Sequence, residues 1–111
     1  MLARIWSTDV PIDRFEAYAK FAEEISLPMF RQQTGCAGVF MYRDGVRCEV
    51  LTLWHKQSDI DALEASDTYR DTVRNILSQG FLAGEQSTRL YEAHIAWTEN
   101  MLTEQACPGR S

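Results

Sequence analysis

Trp54 and His55 stand side by side where the apolar run VLTLW gives way to polar residues. An imidazole next to an indole suits the rim of an active site. Neighbours on a strand project to opposite faces of a sheet, however, so the two cannot share a pocket unless the strand has ended or bulged between them. Trp54 is better placed as an apolar anchor and His55 as the polar end of a strand. Other groups able to move a proton or hold an anion are spread along the chain. His94, in RLYEAHI, is the candidate base, because histidine is the side-chain type suited to moving a proton near neutrality, with a plain hydrogen-bonded role as its alternative. Arg4 and Trp6 lie two apart in ARIWST and so share a face of one strand. An arginine buried there needs a carboxylate, which Glu49 or Glu92 can supply. Tyr69 falls on an apolar helical stripe and offers a phenol to a pocket, whereas Arg70 and Arg74, four apart, face solvent.

The elements that position these residues follow from local pattern. Ala3–Thr8 is a short β-prone run bounded by Asp9-Val-Pro11, and Pro11 fits the first turn of a helix. Ile12, Phe15, Tyr18, Ala22, Ile25 and Met29 recur at steps of three and four, one stripe of an amphipathic helix. Pro28 is expected to kink or end it near Ser26–Leu27. Two strands follow, 37–43 and 46–56, joined at Asp44-Gly45, a strong hairpin signal. Ser58-Asp-Ile-Asp61 suggests a capping box opening a second helical region, with Ser66 or Thr68 capping a restart and Tyr69, Val73 and Ile76 continuing the stripe to Gly80. A Gly/Ser/Thr loop then leads to a fourth strand over 89–95.

With 111 residues, 45% hydrophobic and 24% charged, the chain is sized and composed for one globular domain, placed at 1–96, with 97–111 as a tail or an arm on a partner subunit. Sixteen acidic and eleven basic residues leave a net charge of −5, the wrong sign for a phosphate-binding surface, which argues against nucleic acid. The N-terminus carries no signal-peptide pattern and no apolar run is long enough to span a bilayer, so the expectation is a cytoplasmic protein with no membrane partner. Cys36, Cys48 and Cys107 are widely spaced with no CxxC pair, which reads as three reduced thiols and no metal site.

The order β-α-β-β-α-β is the ferredoxin-like plan of an α+β fold, with strand order 4-1-3-2, strands one and three expected to run parallel, and both helices on one face. The other face lacks cover. Val50, Thr52 and Trp54 alternate with Glu49, Leu51 and Leu53, and Val39 and Met41 with Phe40 and Tyr42, so both faces carry large apolar residues. A sheet with one wet face would not. A second copy of the chain is the simplest cover, hence an expected homodimer.

The chain resembles the antibiotic biosynthesis monooxygenase family, small dimeric α/β barrels, from about Ala3 to Ile95. The likeness rests on Arg4-Ile5-Trp6, on Gly35-x-x-Gly38-Val39, on Glu49-x-Leu51-Thr52-Leu53-Trp54 before a helix at Ser58, and on Tyr91-Glu92. It implies a pocket between sheet and helices that binds a small apolar or aromatic molecule, and oxidation of an aromatic or polycyclic compound by O₂ without flavin, metal or haem. The implied catalytic residues are His94, Tyr69 and Trp6, and the implied substrate-binding residues are Arg4, Glu49 and Trp54. The alternatives are a small-molecule-binding dimer without chemistry, a haem-degrading relative, or a lactone isomerase using Glu49, Glu92 or His94. Haem degraders of the family place a ligating His and a Trp in the second helical region and an Asn in the first strand. Here Val73, Ala62 and the segment Trp6-Ser7-Thr8 stand in those regions, so no stable haem complex is expected.

Overall fold

A computed structural model describes residues 1–97 and 99. Strand β1 (Leu2–Asp9) is followed by a 3-10 turn (Ile12–Arg14), helix α1 (Phe15–Phe21), a π-helical turn (Ala22–Ser26) and helix α2 (Leu27–Arg31). Strands β2 (Cys36–Asp44) and β3 (Arg47–Trp54) form the hairpin, helices α3 (Gln57–Ala65) and α4 (Asp67–Ser78) come next, and β4 (Ala83–Glu92) closes the sheet. Apart from Trp97 and Glu99, the expected tail or arm lies outside the described residues, as does Cys107. The strand order is β2-β3-β1-β4, the expected ferredoxin-like arrangement.

Every pairing is antiparallel, including β1 with β3, which the sequence had suggested would be parallel. The reason is directional: the first helical stretch returns the chain so that β2 runs with β1, and the tight hairpin then reverses β3 against both. Pro28 does not end the helical path, which continues to Arg31, but the path leaves regular α geometry over Ala22–Ser26, next to where the proline was expected to kink or end it. A widened π turn immediately before it relieves the clash that a proline ring makes with the carbonyl four residues back.

Three boundaries move for local reasons. The hairpin loop is Gly45-Val46 rather than Asp44-Gly45, with Asp44 paired to Arg47 and Gly45 at φ 62°, the positive angle that the first position of a type II′ turn requires. Ser58 does not cap: α3 begins at Gln57 behind an extended Lys56. The restart is capped by Ser66, whose Oγ accepts from the Tyr69 N–H at 3.1 Å. β4 takes in the Gly/Ser/Thr stretch expected as loop and ends before His94. Its residues are polar because this edge strand is exposed along nearly all its length.

The register sorts the faces. Leu2, Arg4, Trp6 and Thr8 of β1 lie opposite Trp54, Thr52, Val50 and Cys48 of β3, and Val39 and Met41 of β2 align with Thr52 and Val50. This is the helix-covered side. Met29, Phe30, Val50, Trp54, Ile60 and Leu63 form one core cluster, and Val10, Tyr18, Phe21, Cys48 and Ile76 a second, with Trp6 packed against both. No helix among the described residues is long and apolar enough to cross a membrane.

Candidate active site

Arg4 is buried to 3% exposure on the covered face of the sheet, which requires acceptors close by. The break between α3 and α4 supplies them. Glu64, in the last turn of α3, accepts from Arg4 Nε at 3.1 Å, and the Tyr69 hydroxyl, in the first turn of α4, accepts from Nη2 at 2.8 Å. The extended Ser66 between the helices lets one guanidinium reach both, and its cap on Tyr69 N–H fixes the turn that carries the phenol. The guanidinium also lies 5.2 Å from the Tyr69 ring centroid. Glutamate 64 is thus the carboxylate that Arg4 finds, in place of the expected Glu49 or Glu92. Of the five N–H donors of an arginine, two are taken here, and among the described residues no acceptor takes the other three, which can serve water or a ligand.

Beside Arg4, at the seam between the two core clusters, is a cavity of about 40 Å³ bounded by Trp6, Tyr18, Ser26, Phe30, Tyr69 and Ile76 among others. Its walls are overwhelmingly apolar, and among the described residues the Arg4 guanidinium is the one cationic group on them. Burial raises the Tyr18 phenol well above its ordinary range, with the neighbouring Cys48 thiol adding to the shift, so Tyr18 stays protonated. An anion formed or bound here would meet a fixed positive charge and the Tyr69 hydroxyl against largely apolar walls.

The structure brings Arg4, Trp6 and Tyr69 together on this cavity and places the other three expected residues elsewhere. Trp54 is fully buried in the first core cluster, its Nε1 donating to Thr52 Oγ1 at 2.7 Å, and is not part of the cavity wall. Glu49 turns its carboxylate to the opposite face of the sheet, where Ser7 Oγ donates to it at 2.7 Å and Arg89 lies 3.4 Å away, and it also borders a second concavity at the edge strand β2. His94 follows the end of β4 in a bend, exposed and outside the cavity wall, and His55 is exposed after β3, its N–H donating to the Gly35 carbonyl. Ser26, Phe30 and Glu64 are the site residues that sequence reasoning missed. Met29 and Tyr18 were visible as members of the first apolar stripe, but nothing local marks Glu64 as the partner of a residue sixty positions away. Among the described residues, no group of three or more His, Cys, Asp or Glu side chains is gathered as a metal site would need.

A second, larger concavity of about 490 Å³ lies between α1 and the edge strand β2, over Val39 and Met41 and under Phe15, Ala19 and Leu27. Arg43 lies at its rim, 4.0 Å above the Phe15 ring.

No family model matches the sequence, and no curated protein matches it either. Solved structures do. Rv0793 from Mycobacterium tuberculosis is 14% identical, with 87% of this chain and 98% of that one aligned at a TM-score of 0.70. NE2512, a protein of unknown function from Nitrosomonas europaea, is 16% identical over 88% and 93% at 0.73. A candidate antibiotic biosynthesis monooxygenase from Deinococcus radiodurans is 14% identical over 89% and 98% at 0.71. Further neighbours are also described as antibiotic biosynthesis monooxygenases. At these identities the likeness establishes the fold: an α+β, ferredoxin-like chain built as the antibiotic biosynthesis monooxygenase structures are built.

Proposed function

We propose that this chain is a cofactor-independent oxygenase of a small, acidic aromatic compound, acting as a homodimer. The observation that carries the reading is the buried Arg4 guanidinium, held by Glu64 and Tyr69 on the wall of an otherwise apolar cavity. A phenolate or enolate oxygen placed on the free N–H groups of Arg4 is stabilised there by charge, and the Tyr69 hydroxyl can turn to donate to it. Trp6 supplies a flat wall for the ring. Among the described residues the walls include neither a carboxylate nor an imidazole, which suits a substrate acidic enough to ionise on the arginine without a dedicated base. His94, exposed beyond β4, is assigned no part in the step. The anion then passes one electron to O₂, the resulting radical and superoxide combine to a peroxide, and loss of water leaves a carbonyl where a CH₂ had been. The balance is one CH₂ and one O₂ to one C=O and one H₂O.

Oxygen uptake with an anthrone such as dithranol tests the reading. Uptake is expected in the wild type and in His94→Ala, and is expected to be lost in Arg4→Met. The lack of a base on the walls favours one other reading, a dimer that sequesters an aromatic acid without oxidising it; binding without uptake would establish that one instead.

The homodimer rests on the uncovered face, where Phe40, Leu51 and Ile5 align across β2, β3 and β1 as a continuous apolar row, with Gly38, Leu53 and Ala3 as the next.

A further inference from the structure

The cavity beside Arg4 holds only a few water molecules, far below the several hundred Å³ of a typical ligand site. The groove between α1 and β2 has the missing volume. Tyr18 and Ala22 belong to both walls, so the two spaces are separated by one tyrosine and the first residue of the π-helical turn. The floors are continuous as well, since Val50 under the cavity is paired across the hairpin with Met41 under the groove. Among the described residues no hydrogen bond ties down the Tyr18 hydroxyl, so its ring can turn without breaking one. The π turn beside it is a wide, irregular stretch of helix, a feature found often at functional sites.

We propose that Tyr18 is a gate, and that turning its ring joins the cavity and the α1–β2 groove into one site for an elongated, fused-ring aromatic acid. The inference deepens the function proposed above and rests on its placement of an anionic oxygen at Arg4. The acidic end lies on the guanidinium, the middle ring takes the space that Tyr18 vacates, and the far ring rests on Met41 and Val39 beneath Ala19 and Leu27. Groove and cavity therefore divide the work of recognition: charge is read at Arg4, and length is read beyond Tyr18. A single-ring acid needs at most the space at Tyr18 and gains nothing from the groove beyond it.

Calorimetric titration of the full chain with benzoate, 2-naphthoate and anthracene-2-carboxylate tests this without turnover. Affinity is expected to rise about tenfold with each added ring, the burial of roughly one ring's apolar area. Tyr18→Ala, which removes the gate, is expected to tighten anthracene-2-carboxylate by a larger factor than it changes benzoate, and Tyr18→Phe is expected to behave as the wild type. Because Tyr18→Ala also empties part of the core, two variants that fill the groove provide an independent arm. Ala19→Leu from the helix side and Met41→Trp from the sheet side should each weaken anthracene-2-carboxylate about tenfold and spare benzoate. Ring-independent affinities, or three-ring binding untouched by both filling variants, would overturn the gate while leaving Arg4 as the site of a one-ring acid. If none of the three acids binds, the placement of the anion at Arg4 falls and the gate falls with it.

Discussion

The Arg4 guanidinium donates to the Tyr69 hydroxyl at 2.8 Å while lying 5.2 Å from the centroid of the same residue's ring. One tyrosine thus serves this cation as acceptor and as π-face, and Glu64 completes its shell from the other side of the α3–α4 break. A lysine cannot reproduce this, since it is a point charge without the planar fork that reaches two acceptors and still presents free donors. Arg4→Lys is therefore expected to keep the fold and to weaken benzoate by about tenfold or more, in line with the roughly 1.5–3 kcal/mol of a hydrogen bond to a charged group. Titration calorimetry of the two proteins side by side measures it, and equal affinities would remove Arg4 from the binding role.

Tyr69→Phe isolates the hydroxyl. The ring and its packing stay, but one buried donor of Arg4 loses its acceptor. Stability is expected to fall by about 1–2 kcal/mol in urea unfolding at pH 7. Oxygen uptake is expected to fall as well, with a larger effect on kcat than on KM if the phenol acts on the developing anion. An unchanged unfolding midpoint would mean that water replaces the phenol at no cost.

The first three strands and the sorting of their faces were legible in the sequence because both depend on alternation, which a strand imposes directly, whereas the polar, exposed first half of β4 shows no such pattern. Arg4 and Trp6 were placed on one face on that ground, and they are. Glu49, by the same alternation, had to oppose Val50 and so could not share the cavity with Arg4 once Trp6 and Val50 were known to face each other; register, which the sequence does not display, was the missing step. Glu64 was illegible for a different reason. It joins Arg4 only because a helix break at Ser66 folds α3 and α4 over β1, and no local signal encodes a contact sixty residues apart. The helical path runs on through Pro28 because a proline predicts the cost of a regular α turn and says nothing of a wider one.

Glu49 gives the uncovered face a pH signature. The hydrogen bond from Ser7, then that from Tyr42, holds its carboxyl below the ordinary value of 4.5, with the positive charge of Arg89 adding a smaller part against the opposing effect of burial. A depressed folded-state value contributes stability that is fully present above the unfolded value and is lost as pH falls through the folded one. Ser7→Ala removes the main cause. The stability gap between wild type and Ser7→Ala is expected to be open at pH 7 and to narrow below about pH 4. Urea unfolding at pH 7, 5 and 3 reads it, and a gap that does not change with pH would assign Ser7 a packing role only.

Gly35 stands at φ 84°, where its carbonyl accepts from His55 N–H and its α-carbon faces the Asp59 side chain at the start of α3. A Cβ built there comes within 2.1 Å of the Asp59 carboxyl carbon. Gly35→Ala combines a left-handed backbone with a collision and is expected to cost about 2–3 kcal/mol. Gly45→Ala has a positive φ of 62° but no neighbour within 4 Å, and should cost only the backbone part, about 1 kcal/mol. Thermal melts of the pair separate collision from strain. Equal losses would show that Asp59 simply moves aside.

Leu51 is the residue on which the proposed homodimer can be tested. It lies at the centre of the uncovered face, flanked by Ile5 on β1 and Phe40 on β2, and it is only partly shielded by its own chain. Around this row sit Ser7, Glu49 and Arg89, already bonded to one another within the sheet, so a second copy can cover the face without stranding their charges. Two sheets packed face to face bury such rows against each other, and a cation at the centre would be left without water or a partner. Leu51→Arg is therefore expected to convert a dimer to a monomer. Sedimentation equilibrium at micromolar protein should give about twice the chain mass for the wild type and the chain mass for the variant. The Arg4 cavity lies on the opposite side of the sheet, so benzoate should bind the monomer as it binds the dimer. A wild-type chain that is already monomeric would remove the dimer from the proposal and leave the cavity reading in place.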